Sequence, residues 1–354
     1  LLARPPSHGR ITFCSMPDKD GMNTGPQRDR DRMTPLAFQP ILKRIRWGGR
    51  RLGELLGKAI GPESDYAESW ELADHGDGQS IVADGPLAGT SLQQLVQQSG
   101  PSLLGHHDGL RQFPLLIKFL DASDWLSLQV HPNDEQAKAY DSAENGKTEA
   151  WIILEAEPDS RICAGLKPGV DPQQFRDHLL NGSVEECLNI FTVKPGDCVF
   201  VPAGTVHAIG AGIVLAEIQQ QSNLTFRLHD WGRLGSDGRP REIHVEESLA
   251  CTDFERGPVL PVAPRTIEGS SHRHEELVRD RYFIIQRHQS DAPFSIRVDN
   301  RFHVLIAVDG SASVRAAESD QPLKRGSTLL IPAACDEVTV VPKGQVTVLD
   351  VFLP

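Results

Sequence analysis

Three separate segments place nitrogen and oxygen ligands on predicted strands. In WLSLQVH, alternation puts Ser127, Gln129 and His131 on one face. In GKTEAWIIL, Glu149 heads a mostly apolar strand, and in VPAGTVHAIG a turn places His207 at the start of a returning strand. Taken singly, these segments also fit a solvent-facing strand, an edge carboxylate and a satisfied core histidine. Taken together, they supply two imidazoles and two side-chain oxygens, a set that suits Zn2+ and leaves room for water or substrate.

Such a set of ligands predicts that a metal binds, but it does not determine which metal. Nitrogen and oxygen ligands also accept Fe2+, Mn2+, Co2+ or Ni2+. No thiolate is part of the set, which favours a catalytic over a structural site. The sequence therefore predicts one divalent metal per chain at Gln129, His131, Glu149 and His207, with Zn2+ as the expected ion.

A fourth segment, LAEIQQQSNLTFRLHDWGR, adds charged residues on two further strands. Glu217 lies on one of them, and Arg227 stands between Phe226 and Leu228 on the other. An arginine in an apolar strand needs an anionic partner. That partner is either a nearby carboxylate such as Asp230, in a structural pair, or a substrate phosphate or developing enediolate. The residues alone leave both interpretations open.

The composition sets limits on the class of protein. The chain has 354 residues, a net charge of −12 and 31 glycines and 25 prolines, which favours many turns and short strands. The negative charge argues against nucleic acid or an anionic membrane as the main partner, but leaves a small anionic substrate open. Six cysteines without a CxxC pair indicate reduced thiols and a cytoplasmic location. No signal peptide or membrane helix is predicted.

Strand patterns dominate the chain, with few helical segments. A short helix is predicted over 90–105, and a helical insertion in two pieces over 171–190. A turn-rich connector is predicted over 252–275. Strands are predicted at 114–121, 125–131, 149–155, 197–202, 213–219, 224–229 and in a run of short elements over 281–354.

A weak internal repeat predicts two related β barrels. The stretch that ends at His207 reads G-x5-P-x-G-x2-H, the second motif of cupin barrels, in which the His is a metal ligand. GSTLLIP repeats the G-x5-P part, and the step to the equivalent of His207 reaches Glu337. The prediction is a mainly β chain of two cupin-type jelly-roll barrels with a small helical insertion. Its parts are a disordered extension (1–34), a catalytic domain (35–255, insertion about 168–192) and a degenerate second barrel without metal (256–354).

Several motifs in register carry a family resemblance. They are RIRWGG, ESWELADH, PLLIKFLDA, LSLQVHPND, GKTEAWIIL, VPAGTVHAIG and FRLHDWGR. From about residue 35 to about residue 233, the chain resembles type I mannose-6-phosphate isomerase, the zinc-dependent phosphomannose isomerase family, in its shorter bacterial-like form. The resemblance implies that the zinc ligands are Gln129, His131, Glu149 and His207.

The same resemblance implies an activity and roles for three more residues. The activity is the interconversion of D-mannose 6-phosphate and D-fructose 6-phosphate through a cis-enediol. Arg227 matches the catalytic arginine, and Lys147 and Glu217 match positions that contact substrate or move protons. We assign Glu217 as the candidate base, Lys147 as its helper and Arg227 as electrostatic stabiliser. The expected enzyme is a cytoplasmic monomer or homodimer that binds a sugar phosphate.

Two other functions use the same barrel. A cupin oxygenase that depends on Fe2+ would need similar ligands, because a fold does not determine its chemistry. A non-catalytic sugar-phosphate-binding protein would need only the pocket. The retained ligand types together with Arg227 favour the isomerase over both.

Overall fold

Short antiparallel strands are the main regular elements of this computed structural model. It describes residues 33–234, 238–317, 319–335 and 337–354. Most of the predicted disordered extension lies outside these residues. Its last part does not fit the prediction, because Met33 is buried and its carbonyl oxygen accepts a hydrogen bond from the Cys335 thiol. Within the described residues, no helix has the length and apolar character needed to cross a membrane.

Fourteen of the described strands come before residue 230. They are β1 (Leu36–Ala37), β2 (Ile41–Gly49), β3 (Tyr66–Leu72), β4 (Asp74–His75), β5 (Gly78–Gln79), β6 (Leu115–Ala122), β7 (Leu128–Val130), β8 (Glu149–Ala156), β9 (Arg161–Leu166), β10 (Leu188–Thr192), β11 (Cys198–Val201), β12 (His207–Ile209), β13 (Ile213–Gln220) and β14 (Phe226–His229).

Ten more described strands follow. They are β15 (Arg265–Thr266), β16 (Arg273–Arg279), β17 (Ile284–Ser290), β18 (Phe294–Arg297), β19 (His303–Asp309), β20 (Ser311–Ala316), β21 (Ser319–Lys324), β22 (Thr328–Ile331), β23 (Glu337–Pro342) and β24 (Val346–Phe352).

The helices are few and short in the described parts of the chain. The α-helices are α1 (Arg51–Glu54), α2 (Leu92–Leu104), α3 (Asp134–Tyr140), α4 (Pro172–Leu180) and α5 (Val245–Cys251), and 3-10 turns occur at Val184–Cys187 and Ala333–Cys335.

The helical insertion has the two pieces that the sequence predicts. Asp171 caps α4 by accepting a hydrogen bond from the Gln174 amide, and Pro172 opens the first turn. The second piece is the 3-10 turn Val184–Cys187. The chain turns into strand β10 at Leu188, so the predicted helical range of 171–190 extends too far.

The first barrel consists of two facing sheets. One has the strand order β11-β8-β13-β6-β3-β2, and the other β10-β9-β12-β7-β14. Inward side chains of both sheets meet in one apolar core, for example Trp151 and Leu215 of the first with Ile162 and Ile209 of the second.

The second barrel repeats this plan. Its sheets have the orders β1-β22-β19-β24-β17-β16-β15 and β18-β23-β20-β21. The run β22-β19-β24-β17-β16 follows the same path as β11-β8-β13-β6-β3, which confirms the predicted pair of cupin-type barrels. The first of the sheets has one additional strand, because β1 from the start of the described chain pairs with β22.

The predicted equivalence of His207 and Glu337 does not hold for the direction of the side chains. His207 is 1% exposed inside the first barrel, whereas Glu337 is exposed on the second. Its neighbour Val338 is the buried residue, at 1% exposure. Because strand side chains alternate between faces, a spacing that is off by one residue reverses the direction. The inward position in the second barrel is therefore apolar.

The two barrels share an apolar core. Leu115 and Ile117 of β6 belong to the same buried cluster as Ile285 of β17 and Leu349 of β24. Phe113, which precedes β6, packs on Phe302 of the second barrel with ring centroids 4.8 Å apart. A domain division near residue 255 stays a prediction, and β1 lies in the sheet of the barrel beyond it.

Candidate metal centre and active site

Three strand ends bring His131, Glu149 and His207 together. His131 follows β7 directly, and Glu149 and His207 are the first residues of β8 and β12. Gln129 on β7 pairs directly with His207 across the ladder. One ligand atom from each of His131, Glu149 and His207 lies within 4.8 Å of the others, and all three side chains are buried. In the described parts of the chain this is the one group of three or more His, Cys, Asp and Glu residues close enough to hold a metal ion.

Backbone carbonyls fix the tautomers of both histidines. Nδ1 of His131 lies 2.9 Å from the Leu224 oxygen, and Nδ1 of His207 lies 2.8 Å from the Thr205 oxygen. A carbonyl only accepts, so each Nδ1 carries the proton and each Nε2 presents a lone pair. Burial lowers the pKa of His207 to about 4 and holds that of His131 well below its ordinary value. Both rings are neutral, the form that binds metals.

Glu149 lies between the two imidazoles. One carboxylate oxygen is 3.7 Å from Nε2 of His131, and the other is 3.4 Å from Nε2 of His207. Its Oε1 atom is buried and has no hydrogen-bond partner among the described residues. Burial raises the pKa of this carboxyl group to about 7, against the opposing effect of Lys147. Two lone pairs and an orphaned carboxylate oxygen in a buried space fit a cation.

Lys147 supplies a cation at this position. Its ammonium group is 2.6 Å from Oε2 of Glu149 and 3.0 Å from Nε2 of His131. The side chain is only 5% exposed. Lys147, which the family resemblance places at a substrate-contacting position, therefore lies in direct contact with two of the predicted metal ligands.

Gln129 belongs to the site, with its nitrogen toward the centre. Its Nε2 atom lies 3.2 Å from Nε2 of His207 and donates to that lone pair. The Ser127 hydroxyl donates to the Oε1 atom, at 3.3 Å. A half-turn of the terminal amide exchanges the two ends and directs Oε1 to the centre, so Gln129 remains a predicted ligand.

Glu217 lies on β13, beside a lysine that we did not identify from the sequence. Lys118 is its direct neighbour on β6, and the Nζ atom is 3.3 Å from Oε1 of Glu217 and 3.5 Å from Oε2 of Glu68. Burial alone lowers the pKa of Lys118, but the two carboxylates raise it above its ordinary value. Burial likewise raises that of Glu217, but Lys147 and Lys118 bring the pKa below the ordinary value. Glu217 is therefore ionised at neutral pH.

Replacing Lys118 with methionine is expected to lower the free energy of unfolding by about 3–5 kcal/mol, because it leaves the buried Glu217 carboxylate without its ion pair. Lys118 is 3% exposed, and Glu217 is 4% exposed. Urea denaturation monitored by tryptophan fluorescence measures the change. The exposed Lys343→Met serves as control and should shift stability by less than about 0.5 kcal/mol. A loss below about 1 kcal/mol in Lys118→Met would contradict the pairing.

Arg227 lies next to the metal ligands in the same sheet. It pairs with Gln129 across β14 and β7, which places Arg227, Gln129 and His207 in one row. Its guanidinium donates to the Glu242 carbonyl oxygen at 2.9 Å, and Nε is buried without a partner among the described residues. Burial lowers the pKa of this group.

The alternative that Arg227 pairs with Asp230 is wrong. Both oxygens of Asp230 accept hydrogen bonds from Arg241, and Arg233 donates to one of them. No hydrogen bond or ion pair within the described chain joins Arg227 to Asp230 or to another carboxylate, although the charges of Asp230 and Glu242 act on it from a distance. Its free donors are available to an anion in the site.

Two further polar groups were not selected from the sequence. Gln219 pairs with Glu149 across β13 and β8, and its Oε1 atom is buried without a hydrogen-bond partner in the described structure. Nε1 of Trp151 is also buried without a hydrogen-bond partner among the described residues. The Trp151 ring lies edge-on to the His207 ring, with the ring centroids 5.4 Å apart. The only signal for Gln219 in the sequence was its position on the same strand face as Glu217.

Comparisons with known proteins agree with this architecture. Residues 36–157 match the family model of the phosphomannose isomerase type I catalytic domain, and residues 273–351 match that of the mannose-6-phosphate isomerase cupin domain. Mannose-6-phosphate isomerase ManA of Bacillus subtilis is 34% identical over 311 residues, which cover 86% of this chain and 94% of the relative. Mannose-6-phosphate isomerase of Streptococcus mutans is 30% identical, with 84% and 92% covered.

A solved structure has the same fold over nearly the whole chain. The crystal structure of mannose 6-phosphate isomerase from Bacillus subtilis superposes with a TM-score of 0.83 at 29% sequence identity, and it covers 90% of this chain and 99% of that one. A putative mannosephosphate isomerase from Archaeoglobus fulgidus, at 22% identity and a TM-score of 0.73, shares the fold.

Fold and site together define a two-barrel cupin protein with a buried His–Glu–His centre that could hold a metal ion. The similarity to the relatives identifies the family within this class. The chain belongs to the type I mannose-6-phosphate isomerase family and is an aldose–ketose isomerase. Family membership implies a metal cofactor, and it excludes the oxygenase and the non-catalytic binding protein as the main function.

Proposed function

We propose that this chain interconverts mannose 6-phosphate and fructose 6-phosphate with Zn2+ held by Gln129, His131, Glu149 and His207. The observation that supports the metal site most directly is the convergence of two imidazole lone pairs on the partly unbonded Glu149 carboxylate. When bound, Zn2+ would supply Lewis acidity toward the two sugar oxygens.

The proton transfer between the two sugar carbons needs a base that is ionised in the resting enzyme. Glu217 meets this requirement, because the ammonium groups of Lys147 and Lys118 keep its pKa low. We assign its carboxylate to accept the proton from C2 of the aldose and return it to C1. The hydroxyl proton of O2 passes to O1 in the same sequence, so that the cis-enediol forms and collapses to the ketose. Lys118, 3.3 Å away, balances the charge of the carboxylate before and after the transfer.

Lys147 and Arg227 would act on the negative charge of the substrate. Lys147 contacts both Glu149 and His131, so its ammonium group lies beside the predicted metal position. From there it can stabilise negative charge that develops on the sugar oxygens. Arg227 has a buried Nε without a partner in the described chain and stands beside Gln129. A guanidinium held in place by the Glu242 carbonyl stabilises an enediolate or a phosphate without reorganisation.

The cysteines and the net charge bear on where the protein works and what it binds. Cys163, Cys187, Cys198 and Cys251 are buried free thiols, as expected for a reducing compartment such as the cytoplasm. A monomer or homodimer that acts on a small sugar phosphate, without nucleic acid or membrane, agrees with the net charge of −12.

A coupled assay for fructose 6-phosphate tests the function and the metal together. Purified protein is assayed as isolated, after chelation, and after separate additions of Zn2+, Fe2+ and Mn2+. We expect chelation to lower kcat by at least about 100-fold and Zn2+ to restore it, since a Lewis acid contributes several kcal/mol. Activity that survives complete metal removal would contradict the metal-dependent mechanism, and restoration by Fe2+ or Mn2+ alone would contradict zinc as the native ion.

A further inference from the structure

The second barrel contains a polar cavity of about 350 Å3. It lies between the inner face of the large sheet and strand β18, an edge strand of the small sheet. The first barrel covers the corresponding edge with β14, whereas the second has no strand there in the described chain. The side chains that matter here are Gln286, His288, Arg297, Arg301, His303 and Asp350.

This cavity is the counterpart of the active site by strand register. Val201, the residue before the proline of the G-x5-P motif, pairs with Glu149. Ile331, the residue before the proline of the repeated motif, pairs with His303. His303 therefore occupies the place of Glu149 in the second barrel.

The next inward pair agrees with that assignment. Glu217 pairs with Trp151, and Asp350 pairs with Leu305, which stands two residues after His303 as Trp151 does after Glu149. Asp350 therefore corresponds to Glu217. Its Oδ1 atom lies 2.7 Å from Nδ1 of His303, and both side chains are buried. The second barrel therefore has a buried His–Asp pair at the positions that Glu149 and Glu217 occupy in the first.

His288 on this floor has an unused nitrogen. The side chain is 3% exposed, Nδ1 lies 2.9 Å from Nε2 of His272, and Nε2 has no hydrogen-bond partner within the described residues. A buried polar atom without a partner is costly, which indicates a ligand or water that completes it. Gln286 uses its amide oxygen on His274, and its amide nitrogen has no partner in the described chain.

Two guanidinium groups give the rim a positive charge. Arg297 makes no hydrogen bond or ion pair with any described residue, and Arg301 has one carbonyl contact, to Leu353 at 3.3 Å. The acidic residues that line the cavity are Asp299, which is exposed, and Asp350, which is buried and paired with His303. Guanidinium groups without carboxylate partners favour a phosphate group.

We propose that this cavity is a second, non-catalytic binding site for a phosphorylated monosaccharide. Arg297 and Arg301 bind the phosphate, and His288, Gln286 and the His303–Asp350 pair bind hydroxyl groups. The volume of about 350 Å3 is within the range of small-molecule sites and exceeds what a phosphate ion alone needs. Burial lowers the pKa of His288 to about 3, so the ring is neutral and suited to hydroxyls.

The test counts bound ligand on the full, metal-loaded protein. Equilibrium dialysis with 32P-labelled mannose 6-phosphate, allowed to equilibrate with its product, should give two labelled molecules per chain. Arg297→Ala should weaken the second site by about 10-fold or more, since a charge-assisted bidentate contact is lost, and leave kcat within about two-fold. Because Arg297 is exposed and unpaired in the described chain, its removal should not affect folding. Arg315→Ala is the matched control: an exposed arginine of the same barrel, paired with Asp320, outside the cavity.

Three results with the labelled sugar phosphate would overturn the proposal. They are a single labelled molecule per chain in the unaltered protein, an unchanged second site in Arg297→Ala, and an equal loss in Arg315→Ala. Inorganic phosphate that binds the second site as tightly as the sugar phosphate would also overturn it, since the site would then recognise only an anion. Absence of isomerisation with two molecules bound would contradict the proposed catalysis and leave this site intact.

Discussion

Arg227→Ala is expected to lower kcat by about 100- to 1,000-fold while the bound metal stays at the level of the unaltered enzyme. A preorganised donor that acts on developing negative charge contributes about that much. Arg227 is free to do so, because Asp230 is occupied by Arg233 and Arg241, and Nε of Arg227 is unpaired in the described chain. The fructose 6-phosphate assay gives kcat, and plasma emission spectrometry gives the metal content.

Two further variants make this result specific. Arg227→Lys keeps the charge and loses the planar fork, so it should recover only part of the rate. Arg176 lies on the helical insertion and forms a surface ion pair with Glu246. Arg176→Ala removes this pair and should leave kcat unchanged. A loss of zinc in Arg227→Ala comparable to its loss of rate would show that the residue supports the metal site and is not an electrostatic stabiliser.

His207→Asn is expected to remove both metal and activity. The Nε2 lone pair of His207 faces Glu149 at 3.4 Å, while Nδ1 is bound to the Thr205 carbonyl, so asparagine cannot reproduce this donor. We expect metal content below about a tenth of that of the unaltered enzyme after dialysis, because losing a direct ligand costs more than losing a partner of a ligand. The rate should fall by more than about 1,000-fold, which corresponds to several kcal/mol of lost charge stabilisation.

His178→Asn provides the comparison for that variant. His178 lies on α4 and contacts Ser183, away from the centre. It should keep both metal and rate. Full metal content in His207→Asn would contradict the assigned ligand, and loss of rate with metal retained would instead place His207 in contact with the substrate.

Sequence reasoning reached the centre because its residues lie on regular elements. Alternation along strands placed Gln129 and His131 on one face, and the turn before His207 returned the chain to the same end of the barrel. The contacts among His131, Glu149 and His207 then follow from the strand order. The resemblance to the family supplied the order in which separate strands contribute ligands, which periodicity alone does not contain.

The residues that were missed depend on contacts between strands. Lys118 appears in the sequence as one lysine in an apolar strand, and only the register beside Glu217 gives it a carboxylate partner. The predicted equivalence of Glu337 with His207 is wrong for a related reason. Counting five residues from Pro332 ignores the 3-10 turn at Ala333–Cys335, which changes the direction of the side chains that follow. Periodicity predicts which residues share a face of a strand. The partners of that face depend on the pairing of strands that are distant in the sequence.

The pairing of β1 with β22 also has a consequence for the order of events on the ribosome. Leu36 joins Leu330, and the shared core combines β6 with β17 and β24. The first described strand must therefore wait for nearly the entire chain to be synthesised before it finds its partner. Contacts of such sequence separation slow folding and leave apolar surface exposed during synthesis. A nascent first barrel would need protection, such as a chaperone, until the second emerges.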